Sequence, residues 1–419
     1  MISKAALGGK RVLRSSIAAG RARKEYWGRV KEAKRTGRPV VAAFGLLPRE
    51  IWHAMDVPVL NPEGLALEAS VRRLSGKYCE EAEQHGFARE LCAVHTSLLG
   101  IAGAHEVDPQ LDGMFVKPDL IIGSSFACMS ESKSFLYWVE QFGCPYHVVD
   151  VPINKWGNRV GTHAVRYFAE ELKGMIAFLE CHGFSYDVDR MKESVRNSRR
   201  TMELWSEIEE CRKSVPAPMT AVDALVSIGN TLIYLLGTEI CVDLFRGLLE
   251  EVKARVSNGE GIIDNERLRL YLVGIPPLYN LALLDYPSKY GAALVKCDLD
   301  FFGGSRVEAD SLDPEAPIES VASKQLADIV NPCYASKVSD SVRTVKEYRV
   351  DGVIGLNKRG CRNFPASLRL VKDAIMRETG IPMAVFDLDG IDSREYNDAH
   401  VKANLDSFME TLVRTKAGG

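Results

Sequence analysis

Two stretches of the chain, far apart in the sequence, carry nearly the same pattern. Residues 119–128 read DLIIGSSFAC and residues 351–361 read DGVIGLNKRGC. Each has an Asp, a short apolar run, a Gly, a few small or basic residues and then a Cys. A short apolar run bounded by turn residues is typical of a buried strand in a parallel sheet. The repeat therefore predicts two equivalent strands, each followed by a cysteine.

The elements around these two strands also occur in the same order in both halves. A strand, a Pro-containing turn and a helix are predicted over 39–51, and the corresponding segment of the second half is 268–280. A second strand is predicted over 55–64, which corresponds to 292–304. A last strand is predicted over 144–152, which corresponds to 381–390. Strands that alternate with helices indicate βαβ units and a parallel sheet. The sequence therefore predicts an α/β fold of two similar doubly wound parallel-sheet domains that face each other.

The length of 419 residues is too great for one compact core, which favours two domains. The predicted boundaries are a basic helical arm over 1–38, a first α/β domain over 39–159, a charged helical connector over 160–218, and a second α/β domain over 219–419 with a C-terminal helix. The connector is expected to end at the segment SVPAPMT, where two prolines interrupt the helical pattern.

Composition excludes several classes of protein. The net charge of −3 argues against general nucleic-acid binding, and no apolar run approaches the ~20 residues that a membrane-spanning helix requires. The N-terminal segment is basic and poor in acids up to Glu25, which can mimic an organellar transit peptide. A solvated helical arm, or one that docks on a partner, is the favoured interpretation, and the protein is expected to be cytoplasmic.

The cysteines are the candidate ligands of a metal site. The chain has 10 cysteines and no close CxxC pair, so any metal site must gather cysteines from distant segments. Cys128 and Cys361 each follow the carboxyl end of a predicted strand, where open α/β sheets bind ligands, and Cys92 begins a helix that could reach the same place. Three thiolates from separate loops can hold an iron–sulfur cluster and leave one iron for another ligand.

On spacing alone, buried structural thiols remain the commoner outcome for such cysteines, and the repeat raises the weight of the cluster. Zinc is less favoured, because His95, near Cys92, is a lone histidine candidate. The segment FFGGSR (301–306) is more often a turn than a phosphate-binding loop, and the acidic run FDLDGIDSRE (386–395) more often orients backbone and arginines than binds magnesium. No Walker-type loop occurs, so this chain is not expected to hydrolyse ATP itself.

Four long segments together resemble one known family. Residues 61–100 are similar to a family segment with Pro-Glu, a small-residue helix, the letters EAE and a Cys at the head of a helix. Residues 117–152 are similar to a segment in which a P-D-L strand leads to a Cys and the next strand ends in D-V-P. Residues 350–364 resemble an N-R-S-C segment, and residues 381–395 resemble a closing pattern of spaced Asp residues and an Arg. The family is that of 2-hydroxyacyl-CoA dehydratase D-components and ATP-dependent benzoyl-CoA reductase subunits. The resemblance runs from about residue 25 to 415, with KRGC as a departure in the third segment.

The resemblance implies a set of functional residues. Cys92, Cys128 and Cys361 match the family's cluster-binding cysteines and would hold a [4Fe-4S] cluster. Cys333 is the counterpart of Cys92 in the repeat and would pack beside the site rather than bind iron. His95 is a candidate catalytic residue that would donate a proton near the cluster, although a structural histidine is an open alternative.

The resemblance also implies a function. Family members receive single electrons from a separate ATP-hydrolysing activator with its own cluster and pass them to an acyl-CoA thioester, which forms a ketyl-type radical; they pair with a homologous second cluster-bearing subunit. Arg159, Arg306 and Lys358 are candidates for binding CoA at an entrance between the domains. The segment from Pro62 to Gly100 favours the benzoyl-CoA reductase branch over the dehydratase branch. A cluster-free partner subunit and a nucleotide-binding transferase are the remaining alternatives.

Overall fold

The computed structural model of the chain describes residues 12–104, 109–111, 114–126, 128–153, 160–300, 309–328, 333–394 and 396–418. Arg159, Arg306 and the segment FFGGSR (301–306), which the sequence offered as candidates, lie outside the described residues.

The strands in these ranges form two four-stranded sheets with the same connectivity. The first sheet comprises β1 (Val41–Ala43), β2 (Val59–Leu60), β3 (Leu120–Ser124) and β4 (Tyr146–Val149) in the order β2-β1-β3-β4; the second comprises β5 (Leu268–Val273), β6 (Ala292–Cys297), β7 (Gly352–Lys358) and β8 (Met383–Leu388) in the order β6-β5-β7-β8. All of their pairings are parallel. The predicted α/β fold with two parallel sheets is confirmed, and the two matching stretches form β3 and β7, which hold equivalent positions.

Helices precede, connect and follow the strands. The α-helices of the described ranges are α1 (Arg14–Arg35), α2 (Arg49–Ala54), α3 (Pro62–Val71), α4 (Ser75–Gln84), α5 (Ala93–Gly103), α6 (Met129–Phe142), α7 (Thr162–Glu180), α8 (Val188–Arg212), α9 (Asn230–Leu235), α10 (Glu239–Ser257), α11 (Pro317–Leu326), α12 (Tyr334–Glu347), α13 (Leu368–Thr379) and α14 (Asp398–Gly418). A π-helical segment, Asp223–Gly229, leads into α9. In the described part of the chain, no helix combines the length and apolar character needed to cross a bilayer.

The segment after β5 differs from the prediction. The sequence predicted a helix equivalent to α2, but two 3₁₀ segments occur instead, Leu278–Leu284 and Tyr286–Tyr290. Asn280 adopts φ −144° and ψ 67°, which interrupts the first segment. Pro287 has no backbone N–H to donate to the Leu283 carbonyl, so an α-helix cannot continue from the first segment into the second.

The apolar cores do not follow the halves of the sequence. The first core joins the first sheet to α1, α7, α8, α9, α10 and α11. The second sheet has two further cores, one that includes α14 and one that includes α12 and α13. Residue 219 is the predicted start of the second domain, but helices on both sides of it pack on the first sheet. The domain boundaries stay a prediction.

Polar contacts join the loop after β8 to α3 and α4. The hydroxyls of Ser70 and Ser75 donate hydrogen bonds to the carbonyl of Ile391 at 2.9 and 2.6 Å. The Arg394 guanidinium contacts the Glu83 carboxylate at 2.5 Å. These contacts bring the carboxyl end of the second sheet against the first half of the chain.

Glycine permits the close packing of α4 on α5, the helix that begins after Cys92. A Cβ atom on Gly100 would lie 1.8 Å from the carbonyl oxygen of Tyr78, a backbone atom of α4 that cannot move independently. A side chain here would force the two helices apart.

We expect Gly100→Ala to destabilise the fold by about 1–3 kcal/mol or more, since overpacking a close contact shifts backbone. Gly247 is the matched control, because it lies on the exposed face of α10 and a Cβ there meets nothing within 4 Å. Gly247→Ala is expected to stabilise by about 0.5–1 kcal/mol. Thermal unfolding midpoints of the two variants measure both effects, and equal midpoints would contradict the assigned role of Gly100.

Candidate active site at the junction of the two sheets

The three cysteines that the sequence predicted as cluster ligands lie at the ends of helices or strands near the contact between the end of the second sheet and the first half of the chain. We call this contact region the junction. Cys92 is the residue before α5 and Cys128 is the residue before α6, directly after β3. Cys361 follows the end of β7, and its backbone N–H donates to the carbonyl of Lys358 at 3.3 Å. The N-terminus of a helix carries a partial positive charge, which favours a negatively charged sulfur at the first two positions.

The segments that carry Cys92 and Cys361 are in direct contact. Gly360 has φ +70°, and a Cβ atom there would lie 2.5 Å from the carbonyl oxygen of Leu91 and 3.0 Å from the Cα of Cys92. The Lys358 ammonium donates a hydrogen bond to the Cys92 sulfur at 3.1 Å. Two residues 269 positions apart in sequence, Cys92 and Cys361 (361 − 92), are therefore held on adjoining backbone.

Lys358 lies inside the junction and not at an entrance. Its side chain is 1% exposed at the end of β7, so the suggestion that it lines an entrance for CoA is wrong. Burial opposes its charge, but Cys92, Asp389 and Cys361 more than compensate and raise the pKa of Lys358 above its ordinary value. Lys358 is thus a permanent buried cation beside the cysteines.

Cys128 is linked to α5 through His95, one turn after Cys92. His95 Nε2 lies 3.4 Å from the Cys128 sulfur, and Nδ1 lies 2.8 Å from the Ser134 hydroxyl. Because that hydroxyl donates to the Ser130 carbonyl at 2.7 Å, the network assigns the ring proton to Nδ1 and leaves Nε2 as an acceptor facing Cys128. Burial, helped by the charge of Lys358, lowers the pKa of His95 to about 3. The ring is therefore neutral, and its assignment as a catalytic proton donor stays a prediction.

Burial also governs the Cys128 thiol. Together with the charge of Glu131, it raises the pKa of Cys128 to about 12. A thiol that binds a metal must lose its proton, so metal binding at Cys128 would release one.

Two buried carboxyl groups behind Cys128 were missed from the sequence. Glu131 accepts a hydrogen bond from the Ser124 hydroxyl at 2.7 Å, and Glu63 accepts one from the Gly45 N–H at 3.2 Å. Burial raises the pKa of Glu63 to about 7, and burial together with the charge of Glu63 raises the pKa of Glu131 well above its ordinary value. The pair therefore holds at least one proton at neutral pH. Each glutamate lies in the first turn of a helix that follows a strand, which is the signal that a sequence search could have used.

Cys333 matches Cys92 in position, as the repeat predicted. It precedes α12, and its sulfur lies 3.7 Å from the Ser336 hydroxyl. Its role beside the site stays a prediction. Within the described ranges, no three His, Cys, Asp or Glu side chains surround a common point as metal ligands do, so the assignment of Cys92, Cys128 and Cys361 as ligands also stays a prediction.

The fold and the junction together define a class of α/β protein in which two repeated parallel sheets bring cysteines from both halves together. The chain belongs to the family described as 2-hydroxyglutaryl-CoA dehydratase, D-component, which matches residues 46–412. The assignment made from the sequence motifs is confirmed.

Individual relatives cover nearly the whole chain. The chain is 26% identical over 404 residues to a subunit of benzoyl-CoA reductase from Thauera aromatica, covering 93% of this chain and 92% of the relative. It is 24% identical over 402 residues to the (R)-2-hydroxyisocaproyl-CoA dehydratase alpha subunit of Clostridioides difficile, covering 94% of each. The (R)-phenyllactyl-CoA dehydratase alpha subunit of Clostridium sporogenes is 23% identical over 389 residues, covering 92% of each. The chain is thus an enzyme subunit of the oxidoreductase or dehydratase type, and names that specify subunits imply partner subunits.

The carboxyl pair gives a pH-dependent prediction. A carboxyl whose folded pKa is raised stabilises the fold below the unfolded pKa, and this contribution is lost as pH rises through the folded pKa. For Glu63 the window runs from its ordinary value of 4.5 to about 7. The Glu63→Gln variant has no ionisable group at this position. Relative to the natural chain, we expect its free energy of unfolding to rise by about 1–3 kcal/mol between about pH 5 and about pH 8.

Thermal unfolding at the two pH values measures this difference. Glu250→Gln, on the exposed face of α10, is the control and should follow the natural chain at both. If Glu63→Gln also followed the natural chain, the raised pKa would be refuted.

Proposed function

We propose that the chain is the iron–sulfur subunit of a heteromeric enzyme that passes low-potential electrons from an ATP-dependent activator to an acyl-CoA thioester. The reaction proposed is of the benzoyl-CoA reductase type, with reduction of an aromatic ring. The observation that carries this proposal is the contact between the Cys92 and Cys361 segments, together with the link from Cys128 through His95 to α5. These contacts support the proposal that the three thiols act at one site.

The residues present fit a [4Fe-4S] cluster. Cys92, Cys128 and Cys361 would hold it, each at the end of a strand or the start of a helix. Buried thiolates carry a large desolvation cost unless positive charge is close, and the Lys358 ammonium at 3.1 Å from the Cys92 sulfur supplies such a charge. When bound, a cluster held by three cysteines supplies one-electron transfer and leaves one iron for another ligand.

The chain's own side chains prepare the surroundings. Lys358 offsets the negative charge of the thiolates, and hydrogen bonds and charges near sulfur tune the potential of such centres. His95, fixed by Ser134, lies against the Cys128 sulfur, and its Nε2 can accept the hydrogen bond of that thiol before the proton is lost to metal binding. The Glu63 and Glu131 carboxyls hold a proton near Cys128. A buried proton at this place suits a reduction that consumes protons together with electrons.

The alternative is a 2-hydroxyacyl-CoA dehydratase subunit, in which the same electron starts a radical elimination of water. Relatives of both kinds match over nearly the whole chain at 23–26% identity. In either case, the proposed partners are a homologous second cluster-bearing subunit, the activator with its own cluster, and the acyl-CoA substrate.

The first test is iron content. Anaerobically purified protein is expected to be brown and to carry about four irons and four sulfides per chain. Cys361→Ala should lose the colour and the iron, because it removes one of the three ligands. Cys181→Ala is the matched control, since Cys181 is exposed at the end of α7, and it should keep both.

Iron and sulfide analysis under argon distinguishes a cluster-bearing enzyme subunit from a cluster-free partner subunit. Natural protein that stays colourless after reconstitution with iron and sulfide would identify a cluster-free partner subunit and would refute the proposal.

The second test is turnover with the complete enzyme, its activator and ATP. We expect reduction of benzoyl-CoA, with no loss of water from a 2-hydroxyacyl-CoA. The opposite preference would assign the chain to the dehydratase branch, and no turnover of either thioester by iron-loaded enzyme would argue against both.

A further inference from the structure

Three large apolar side chains are exposed directly beside cysteines. Leu91, Met129 and Tyr334 are each the neighbour in sequence of a cysteine that the repeat singled out, and all three are exposed to solvent. Met129 has the most open position of the three, with 73% of its surface accessible. Apolar residues on the surface of a monomer are usually scattered singly, whereas a group of them indicates a binding surface.

Leu91 and Met129 belong to segments that meet at the junction. A Cβ on Gly360 would approach the Leu91 carbonyl oxygen to 2.5 Å, so Leu91 lies against the turn after β7. Met129 is the first residue of α6, directly after Cys128, whose sulfur lies 3.4 Å from His95 of α5. Both exposed side chains are therefore attached to backbone that carries a proposed cluster ligand.

Tyr334 belongs to a segment that packs beside the same turn. It is the first residue of α12. The ammonium of Lys337, in the first turn of that helix, lies 4.6 Å from the centre of the Phe364 ring, and Phe364 follows Cys361 by three residues. The start of α12 is thereby placed next to the segment that carries Cys361.

The exposed charges on residues 89–91, 129–133, 334–337 and 359–362 are mainly positive. They are those of Arg89, Lys133, Arg359 and Arg362, with Glu90 as the acidic residue among them. Lys133 lies one turn after Met129 on α6. Neither Lys133 nor Arg362 forms an ion pair with a carboxylate of the described residues. Because the whole chain has a net charge of −3, the positive charge is local to this surface.

We call this surface the cysteine rim and define it by Leu91, Met129 and Tyr334 together with the four cations. Permanent subunit interfaces bury a large apolar core, whereas electron-transfer contacts are small and short-lived. Opposite charges accelerate the association of such complexes. Three apolar residues within a basic border match the second kind of contact, and they require an acidic surface on the partner.

We propose that the cysteine rim is the docking surface for the protein that donates electrons to this chain, and that this donor is acidic around its own redox centre. This inference rests on the proposed function and assigns the donor a place on the chain. One electron leaves the donor, which is oxidised, and enters the centre held by the cysteines, which is reduced; no bond forms or breaks. Docking here shortens the transfer, because Leu91 and Met129 directly adjoin two of the proposed ligands.

The double variant Lys133→Glu, Arg362→Glu tests the charges in the complete enzyme. Reduction by the activator with ATP, followed by anaerobic stopped-flow absorbance, is expected to slow about 10-fold or more at low salt, because steering by opposite charge is lost. Reduction by titanium(III) citrate at high salt, where charge is screened, should keep its rate because it needs no docking surface. Arg196→Glu, Lys346→Glu is the matched control, since both residues are exposed, on α8 and in the last turn of α12, and lack an ion pair among the described residues.

Direct binding supplies a readout that needs no cluster. Biolayer interferometry of the activator on immobilised enzyme should show a Kd about 10-fold higher or more for the charge-reversal variant, with a weaker dependence on salt. Met129→Ser should raise the Kd about 5-fold or more, as truncation of a contributing interface side chain does. Since Met129 is exposed, this variant should keep the natural thermal midpoint and iron content.

Natural rates and Kd values in both rim variants, with iron content intact, would overturn the docking surface and leave the proposed function standing. Loss of the second subunit when the charge-reversal variant is purified would identify the rim as a permanent interface and would overturn the docking surface as well. Slower reduction by titanium(III) citrate would do the same, because the substitutions would then act on the cysteines and not on docking. Natural enzyme without iron would overturn the proposed function itself.

Discussion

The contact between the turn at Gly360 and the backbone of Leu91 and Cys92 is the constraint on which the site depends. Gly360 adopts a left-handed conformation, and a side chain there would collide with the Leu91 carbonyl. The absent Cβ lets the end of β7 approach the start of α5 to backbone distance. The end of the second sheet thereby lies against the segment that carries Cys92, with the buried Lys358 ammonium in contact with the Cys92 sulfur.

Buried glutamates in the first half show how this fold treats charge. Burial alone would raise the pKa of Glu50, but the Lys324 ammonium at 2.5 Å lowers it below the ordinary value, so Glu50 is ionised. Glu63 and Glu131 have no such close cation among the described residues, and burial keeps the pair partly protonated. The first case is a structural ion pair that joins α2 to α11. The second is a buried carboxyl pair near Cys128, and perturbed groups of this kind are typical of functional sites.

The repeat in the sequence predicted both sheets because the pattern of a buried strand is local. Two matching runs were sufficient to predict β3 and β7 in equivalent positions, and the order of the remaining runs predicted the same connectivity on both sides. Packing across the halves is not local, and the cores therefore combine elements that the sequence assigned to different domains. The helix after β5 was predicted from the match to the first half, which takes no account of the interruptions at Asn280 and Pro287.

The site was only partly predictable for the same reason. Cys92, Cys128 and Cys361 carry a chemical signal in their residue type and their place after strands or before helices. Lys358 and Glu63 carry a weaker signal. Glu63 has a place after a strand in the first turn of a helix, but a lysine at the end of a strand and a glutamate in such a turn are usually solvated. Only the tertiary structure reveals that both are buried, one against a sulfur and the other against a second carboxyl.

Helix α1 is attached at both ends to different parts of the fold. At its start, Glu251 of α10 accepts hydrogen bonds from the backbone N–H groups of Arg14 and Ser15 at 2.8 and 3.0 Å. Near its end, Lys34 pairs with Asp119, just before β3, at 2.6 Å. The position of α1 therefore depends on contacts with both α10 and the segment before β3. A substitution at Glu251 or Asp119 would act on the placement of α1 from outside the helix itself.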